Sequence, residues 1–219
     1  MRELALAPPE GALKVLFLGA HPDDIEIGCF GALDLLRRSQ ASVQVRWAVL
    51  SGSGKRAGEA RASAEALLED GFDDWTFHQG DLPDAYFPAH WSRVKEWMAE
   101  LGRDFRPGVV FTHHRADRHQ DHRLVGELTW NLFRESLILE YEVPKFDGEL
   151  GSPNAFVPMA AEVCSRKADH LLGSFPSQTH KPWFTAETFR GLARLRGVEC
   201  AAPSGYAEGF HARKLIISG

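Results

Sequence analysis

The fold is indicated first by the stretch VLFLGAHPDD at residues 15–24. Its first four residues form a continuous apolar run of strand length, which is typical of a central parallel strand covered on both faces. Polar residues, beginning with His21, follow this run almost directly. Ligands of open α/β sheets bind beyond the carboxyl ends of the strands, so the pattern predicts a loop that faces a ligand.

Strand-like and helix-like segments alternate along the rest of the chain. Hydrophobic periodicity predicts strands at residues 15–18, 43–50, 75–77, 109–112 and 137–141. It predicts helices at residues 28–38, 57–69, 91–101, 121–134, 167–172 and 186–195. Frequent proline and glycine indicate loops over the sheet edge at residues 144–158, and residues 206–217 are expected to be an extended tail. The alternation predicts a layered α/β fold with a mostly parallel sheet, in a single domain over residues 1–219.

The composition excludes several classes of protein. Hydrophobic residues make up 44% and charged residues 25% of the chain, which is typical of globular proteins and not of disordered or membrane proteins. The net charge of -5 and the scattered basic residues predict no nucleic-acid partner. No run approaches the roughly 20 apolar residues of a membrane anchor. Three cysteines without paired spacing indicate neither a disulfide framework nor a thiolate zinc site, and they favour a reducing cytoplasm.

A second polar segment follows the strand predicted at residues 109–112. It contains four histidines and two aspartates, which are His113, His114, Asp117, His119, Asp121 and His122. This segment is also expected at the carboxyl edge of the sheet. We therefore predict that two clusters of imidazoles and carboxylates meet in one crevice.

Together the two clusters contain the ligand types of a catalytic zinc site. Such a site uses about three nitrogen or oxygen ligands and leaves one position open for water. His21, Asp24 and His122 can supply the three ligands. The ion would lower the pKa of the water to about 7 and polarise a carbonyl group, so that an amide could be attacked at neutral pH.

Amide hydrolysis also needs a proton acceptor and a proton donor. Asp23 is our candidate base, because it lies beside a ligand without being needed as one. His119, one helical turn before His122, is the candidate acid or stabiliser of the oxyanion, and Asp121 is a candidate to orient an imidazole. Each segment alone is also typical of a turn that caps a helix, but their joint occurrence after two strands favours the site.

The two segments resemble the signatures of the LmbE/PIG-L family of metal-dependent N-deacetylases, an Ala-His-Pro-Asp-Asp-Glu box and a later His-x-Asp-His box. Here the boxes are residues 20–24 and 119–122. The resemblance extends to Ser177-Gln178 and to the closing YAEGF at residues 206–210. The chain departs from the first box at Ile25, which stands in place of the glutamate, while Glu26 follows one position later.

The resemblance implies a Rossmann-like three-layer sandwich that removes an N-acetyl group from an amino sugar or a GlcNAc-containing conjugate. It implies one divalent metal ion per chain, Zn2+ or alternatively Fe2+, on the three ligands named above. Asp23 would then be the base, and His119, tuned by Asp121, would assist the oxyanion or the leaving group. The implied partner is a small amino-sugar substrate, and a homo-oligomer is compatible with the sequence.

Members of the family also hold the substrate with an arginine after the second strand. Arg56 fits this spacing best and Arg61 is the alternative, although an exposed charge on a helix is an equal explanation for either. Tyr206 is a candidate hydrogen-bond donor to the oxyanion, or else a buried tyrosine with a satisfied hydroxyl. Trp183 is a candidate to face a sugar ring, although packing is the more common role of an aromatic residue.

Two other functions stay open at this point. Phosphoester hydrolases also use histidine and aspartate ligands, but commonly on two ions about 4 Å apart. Glycines after the first strand suggest a nucleotide-binding module, although Gly19, Gly28 and Gly31 do not match G-x-G-x-x-G.

Cys29 is predicted to be a small buried residue. Six further histidines are predicted to pack in the core or to lie at the surface, and they are His78, His113, His114, His170, His180 and His211.

Overall fold

Seven strands form the central sheet of the computed structural model, which describes residue 6 and residues 11–39 and 42–216. The strands are β1 (Leu13–Gly19), β2 (Val43–Ser51), β3 (Asp74–Leu82), β4 (Val109–His113), β5 (Leu137–Tyr141), β6 (Ala155–Met159) and β7 (Tyr206–Ala212). Their order in the sheet is β3-β2-β1-β4-β5-β7-β6. The first five of these are mutually parallel, and β7 is antiparallel to both β5 and β6.

Among the residues described, six α-helices cover the sheet in two layers. They are α1 (Asp24–Arg38), α2 (Gly54–Leu68), α3 (Trp91–Arg103), α4 (Gln120–Leu132), α5 (Ala161–Ser174) and α6 (Ala186–Glu199). α1, α2, α5 and α6 pack on one face, and α3 and α4 pack on the other. A 3₁₀ turn at Phe87–His90, which the sequence pattern did not predict, leads into α3.

The apolar run within β1 has the burial expected of a central strand. Val15 and Phe17 lie in the core beneath the first group of helices, whereas Leu16 and Leu18 lie in the core beneath α3 and α4. Because successive side chains of a strand point to opposite faces, a strand covered on both faces needs apolar residues throughout. The predicted α/β fold, a Rossmann-like three-layer sandwich with a mostly parallel sheet, is confirmed.

The direction of winding reverses between β1 and β4. These two strands are neighbours in the sheet, so that Phe17 lies opposite Trp47 of β2 on one side and Phe111 of β4 on the other. In doubly wound sheets a crevice opens at such a switch point, beyond the carboxyl ends of the two strands. The loops that follow β1 and β4 therefore meet in space.

The first helix is fastened to the sheet by Glu208 of β7. The two oxygens of its carboxylate accept hydrogen bonds from the backbone N–H groups of Gly31 and Ala32 at 2.8 and 2.9 Å. Lys167 of α5 donates to the same carboxylate at 2.8 Å. This buried ion pair thus ties α1, α5 and β7 together.

The prediction of loops throughout residues 144–158 is wrong at its end, because β6 begins at Ala155. β6 is an edge strand, and its Pro158 is exposed. An edge strand tolerates proline because the side of the strand that faces solvent needs no N–H donor. Proline and glycine near this strand therefore hid it from the sequence pattern.

Other boundaries also differ from the predictions. α1 begins at Asp24 instead of residue 28, and β3 continues to Leu82 instead of ending at residue 77. α5 spans Ala161–Ser174, around the predicted residues 167–172. The tail predicted to be extended at 206–217 is a strand up to Ala212, and residue 217 lies outside the described residues. No helix in the described ranges combines the length and the apolar character that crossing a bilayer requires.

Candidate metal centre

The loop between β1 and α1 turns sharply at Asp23. Asp23 adopts a left-handed backbone conformation, with φ of 97° and ψ of -26°, directly before α1. Residues other than glycine adopt this conformation at a cost of about 1–3 kcal/mol, and they do so mainly at functional sites. The backbone N–H of His21 donates to Asp24 Oδ2 at 2.7 Å. The turn thereby fixes the Asp24 carboxylate close to His21.

The loop between β4 and α4 is held by its own polar groups. Asp117 Oδ1 accepts a hydrogen bond from the backbone N–H of His119 at 2.7 Å. His119 caps α4, because its Nδ1 accepts a hydrogen bond from the backbone N–H of Asp121 at 3.3 Å. Asp121 and His122 lie in the first turn of α4 and are buried.

The two loops bring together the three residues that we predicted as metal ligands. His21 Nδ1 lies 3.1 Å from His122 Nε2 and 3.4 Å from Asp24 Oδ2. His122 Nε2 lies 3.5 Å from Asp24 Oδ1. The two histidines come from loops that are 101 positions apart in the chain.

These separations suit the coordination of a metal ion. Ligand atoms about 2.0–2.2 Å from a tetrahedral zinc ion lie about 3.3–3.6 Å from one another. The distance between His21 Nδ1 and His122 Nε2 is that of a hydrogen bond, and a cation that binds the lone pairs of both nitrogens would replace the shared proton. Among the described residues, three sets offer donor atoms within 4.8 Å of one another, and the predicted ligands are divided between them. The sets are His21, His119 and His122; Asp24, His113 and His122; and His21, Asp84, His119 and Asp121. The cluster can therefore hold a metal ion.

Asp117 orients the imidazole of His122. Asp117 Oδ2 lies 2.9 Å from His122 Nδ1, and Lys145 Nζ donates to the same oxygen at 2.9 Å. Burial and the charge of His113 lower the pKa of His122 to about 3, so this ring is neutral at pH 7. A neutral ring that donates its Nδ1–H to Asp117 presents the lone pair of Nε2, which is the atom that faces His21.

Asp121 contacts His21, whereas the resemblance implied that it tunes His119. Asp121 Oδ2 lies 3.1 Å from His21 Nε2. The same carboxylate accepts hydrogen bonds from the backbone N–H groups of Ala85 and Phe87, at 2.7 and 3.0 Å. These contacts link α4 to the loop after β3 and hold the His21 ring from the side opposite Nδ1.

Asp84, in the loop after β3, was not predicted as a site residue. Its Oδ1 lies 3.1 Å from His21 Nε2, and its Oδ2 lies 3.1 Å from Arg56 Nη1. Burial lowers the pKa of His21, but hydrogen bonds with Asp121, Asp24 and Asp84 outweigh burial and raise this pKa well above its ordinary value. The position of Asp84 after a strand of the parallel sheet is the signal that could have identified it.

Asp23 has one carboxylate oxygen free. Its Oδ2 is buried and has no hydrogen-bond partner among the described residues, and its Oδ1 lies 3.9 Å from Arg56 Nη2. Burial, together with the charge of Asp24, raises the pKa of Asp23 well above its ordinary value. A buried carboxylate with a free oxygen and a raised pKa has the properties of a general base.

The ring of His119 lies against both histidines of the ligand set. Its centroid is 4.9 Å from that of His21 and 4.6 Å from that of His122. Burial and the charge of His21 lower the pKa of His119. Because Nδ1 accepts the N–H of Asp121, the neutral ring carries its proton on Nε2. His119 is thus a hydrogen-bond donor through Nε2.

His113 was predicted to lie in the second polar segment but was given no role beyond packing, and the structure places it in this cluster. The side chain is fully buried, and its Nε2 lies 3.2 Å from Asp24 Oδ2 and 2.9 Å from the backbone N of Ala20. Its ring stacks on that of His122, with centroids 3.9 Å apart. His113 is the last residue of β4, and this position at the carboxyl edge could have indicated it.

Of the two candidate arginines, the structure brings Arg56 to the cluster. Arg56 Nη2 donates to the carbonyl oxygen of Pro22 at 3.0 Å, in addition to its contacts with Asp23 and Asp84. Arg61 is exposed, lies 3.5 Å from a carboxylate oxygen of Glu65 and covers the ring of Phe77.

The structure does not bring Tyr206 into the cluster. Its ring packs on the small core that contains Phe30 and Met159, and the guanidinium of Arg194 lies 5.8 Å from the ring centroid. The predicted hydrogen bond from its hydroxyl to an oxyanion therefore has no support in these contacts.

Glu26, the shifted glutamate, links helices. Its Oε1 accepts a hydrogen bond from Ser63 Oγ at 2.5 Å, and Ser63 Oγ lies 2.8 Å from His170 Nε2. Burial raises the pKa of Glu26 to about 7. The three side chains join α1, α2 and α5, so His170 packs between helices as predicted.

Other residues that the sequence singled out make packing contacts. Cys29 is a small buried residue, as predicted. Trp183 is half-buried, and its ring contacts those of Phe184 and Phe146 at centroid distances of 5.6 and 6.4 Å. Of the remaining histidines, His114 stacks on His211 with centroids 3.9 Å apart.

The chain is similar in structure to three proteins of low sequence identity. For the conserved protein TT1542 from Thermus thermophilus the TM-score is 0.74 and the identity 21%, covering 94% of this chain and 97% of that chain. For the N,N′-diacetylchitobiose deacetylase from Pyrococcus horikoshii the TM-score is 0.67 and the identity 20%, covering 91% of this chain and 83% of that chain. For the 4-carboxy-2-hydroxymuconate hydratase GalB from Pseudomonas putida the TM-score is 0.73 and the identity 18%, covering 94% of this chain and 98% of that chain. At these identities the likeness establishes the shared fold.

No curated protein matches the chain in sequence. A family model does match it, over residues 16–133, which run from β1 into the end of α4 and make up more than half of the chain. That model is described as PIG-L, GlcNAc-PI de-N-acetylase. The matched residues include both boxes, the three donor residues, Asp23 and His119. The chain belongs to the PIG-L family.

Proposed function

We propose that the chain is a zinc-dependent hydrolase that removes an N-acetyl or related N-acyl group from an amino sugar. The observation that carries the proposal is the convergence of His21, Asp24 and His122. His21 Nδ1 lies 3.1 Å from His122 Nε2, and the two oxygens of Asp24 lie 3.4 Å from the first nitrogen and 3.5 Å from the second. The free oxygen of Asp23 lies in the same loop. Membership of the PIG-L family supports deacylation as the chemistry.

The donor set suits Zn2+, with Fe2+ as the alternative, because two imidazoles and one carboxylate leave a coordination position open. His21, Asp24 and His122 would hold the ion. When bound, the ion supplies Lewis acidity, which acidifies water and polarises the amide carbonyl. Asp117 and Asp121 hold the two imidazoles in the orientation that this requires.

Asp23 takes the proton of the attacking water through its free oxygen and then delivers that proton to the leaving amine. His119 serves as a hydrogen-bond donor to the oxyanion through Nε2, because a ring that is neutral at pH 7 is a poor general acid. Of the two roles predicted for His119, the lowered pKa thus favours oxyanion stabilisation. Arg56, held by Asp84 and the carbonyl of Pro22, positions the substrate.

An N-acetylated amino sugar is the proposed substrate. Support comes from the description of the matched family and from the similar structure that is a diacetylchitobiose deacetylase. At the open side of the cluster, the side chain of Asp84 is 53% exposed and that of Arg56 is 25% exposed. Both can form charge-assisted hydrogen bonds with sugar hydroxyl groups.

The test is release of acetate from a panel of N-acetylated saccharides, with and without a chelator. The Asp23→Asn variant should retain zinc and lose about 10²–10⁴-fold in kcat, which is the usual contribution of a general base. Asp73→Asn, which changes an exposed aspartate remote from the loops of the centre, is the matched control and should retain full activity.

Full activity of Asp23→Asn would contradict the proposed base. Activity that survives complete removal of the metal would contradict the proposed mechanism as a whole. Two ions per chain, with hydrolysis of phosphoesters instead of amides, would instead favour the alternative of a two-metal phosphoesterase.

A further inference from the structure

Beside α4, on the face of the sheet that α3 and α4 cover, a groove lies on the other side of β4 from the metal centre. It has a volume of about 920 Å³ and lies between the end of β4, the last turns of α4 and the end of β7. Trp130 lines it, and we call it the Trp130 groove. β4 separates the two sites, because His113 contacts Asp24 on one face and the next residue, His114, contacts Glu140 on the other.

Four permanent cations line the Trp130 groove, and they are Arg115, Arg134, Arg213 and Lys214. The charged groups of Arg115, Arg213 and Lys214 lie 5.8, 5.7 and 5.5 Å from the centroid of the Trp130 ring. The sequence predicted no basic site because these residues come from three separate segments. Only the fold brings all four to one groove, and three of them to one ring.

A single buried carboxylate, Glu140, lies at the base of this cluster. It accepts a hydrogen bond from Trp130 Nε1 at 2.6 Å and lies 2.6 Å from His114 Nδ1. Arg213 Nε and Arg115 Nε lie 3.3 and 3.9 Å from it. Within the described residues, neither Arg134 nor Lys214 forms an ion pair.

The groove therefore holds an excess of positive charge in a chain whose net charge is -5. Four cations face one carboxylate, and repulsion among like charges this close is relieved when an anion binds between them. Guanidinium groups pair with phosphate in a bidentate geometry that single ammonium groups cannot match. Sites for small molecules typically have volumes of about 300–1,000 Å³, so the groove has room for more than an inorganic ion.

We propose that the Trp130 groove is a binding site for a small phosphate-bearing molecule. The cations bind the phosphate group, and the remaining volume takes the organic part of the ligand. This site is separate from the proposed deacylation and does not depend on it.

The test follows the indole N–H signals in two-dimensional ¹⁵N NMR spectra of the metal-loaded protein while inorganic phosphate is added. The chain has six tryptophans, and the Trp130 signal is assigned from its loss in Trp130→Phe. We expect the Trp130 signal alone to shift, with saturation and a Kd below about 10 mM, which corresponds to a binding free energy of only about 3 kcal/mol. Sodium chloride at equal ionic strength controls for screening.

Arg134→Gln combined with Lys214→Gln should weaken phosphate binding at least about tenfold, the effect of losing charge-assisted contacts. These two residues form no ion pair among the residues that the structure describes, so the double variant should fold normally. Arg93→Gln combined with Arg103→Gln removes two exposed arginines elsewhere and should leave binding unchanged.

The proposal would be overturned if phosphate and sodium chloride shifted the Trp130 signal equally. It would also be overturned if both double variants bound phosphate with the same affinity. A groove that binds single-stranded RNA but not phosphate would also overturn it, in favour of a macromolecular ligand. Because the readout is binding and not turnover, none of these outcomes depends on whether the chain is a deacetylase.

Discussion

The Asp117 carboxylate decides which nitrogen of His122 is available to a metal ion. It pairs with Nδ1 and leaves Nε2 directed at His21. We expect Asp117→Asn to weaken zinc affinity about 10–100-fold, the usual cost of removing the partner of a ligating histidine. Competition with a chromogenic chelator measures this change. His122→Ala, which removes the ligand itself, sets the lower limit of zinc affinity. If zinc affinity were unchanged in Asp117→Asn, the Asp117 carboxylate would have no orienting role.

At the scale of elements, α1 packs against β5 without space for a side chain at residue 28. A Cβ at Gly28 would overlap the ring of Tyr141, whose hydroxyl donates to the carbonyl of Leu18 at 2.7 Å. Alanine favours helices over glycine by about 1 kcal/mol, but overpacking typically costs about 1–3 kcal/mol. Because the Tyr141 ring is fully buried, we expect Gly28→Ala to lower the free energy of urea-induced unfolding.

Gly58 of α2 provides the matched control, since no atom lies within 4 Å of a Cβ added there. Gly58→Ala should raise the free energy of unfolding by about 0.5–1 kcal/mol, through helix propensity alone. If both alanine variants were stabilised equally, close packing at Gly28 would not be what limits that position.

The junction of α1 and α5 should respond to pH. Asp34 pairs with Arg37 and Arg38 of its own helix and with Arg166 of α5. Burial raises the pKa of Asp34, but the hydrogen bond with Arg166 and the three positive charges outweigh burial and lower it. Because the pKa of Asp34 is lower in the folded than in the unfolded chain, the ionised carboxylate stabilises the fold above pH about 4. This stabilisation is lost as the pH falls further.

Asp34→Asn should therefore cost about 1 kcal/mol at pH 7, a modest figure because the arginines are substantially exposed. The difference between variant and parent should shrink below pH about 4. Thermal unfolding at pH 7, 5 and 3 provides the measurement. A difference that is constant over this range would mean that the ion pairs contribute nothing.

At the scale of the whole molecule, the proposed ion would join two loops on neighbouring strands. An ion that binds only the folded chain adds about 4 kcal/mol of stability when its concentration is about 1,000 times the Kd. We expect zinc to raise the melting temperature of the parent chain and a chelator to reverse the rise. In His122→Ala the rise should be absent or small; an equal rise in that variant would place the ion elsewhere.

The sequence was sufficient to predict the layers of the fold but not the order of the strands in the sheet. The run at residues 15–18 predicts a strand because both of its faces are covered, and this is a local property. That β4 lies beside β1 depends on pairing between distant segments, which no local pattern reports. β6 escaped prediction because Pro158, an edge residue, resembles a loop residue when no partner strand is known.

The same distinction applies to the site. The predicted ligands His21, Asp24 and His122 lie in two recognisable boxes, and the structure brings them together. Asp84 was missed because one aspartate after a strand carries no motif. His113 was included in the second cluster but given no role there, because a strand-end histidine resembles a core residue. Tyr206 lies in a segment like that of the family, but its surroundings depend on how β7 pairs with β6.

During synthesis, α1 leaves the ribosome long before the strand that secures it. A nascent chain that has reached the end of α4 already contains every proposed ligand, yet it lacks the Glu208 carboxylate that receives the N–H groups of Gly31 and Ala32. The helix that carries Asp24 is therefore expected to stay loosely docked until β7 has left the ribosome and joined the sheet. Stable binding of the proposed ion would then follow the docking of β7.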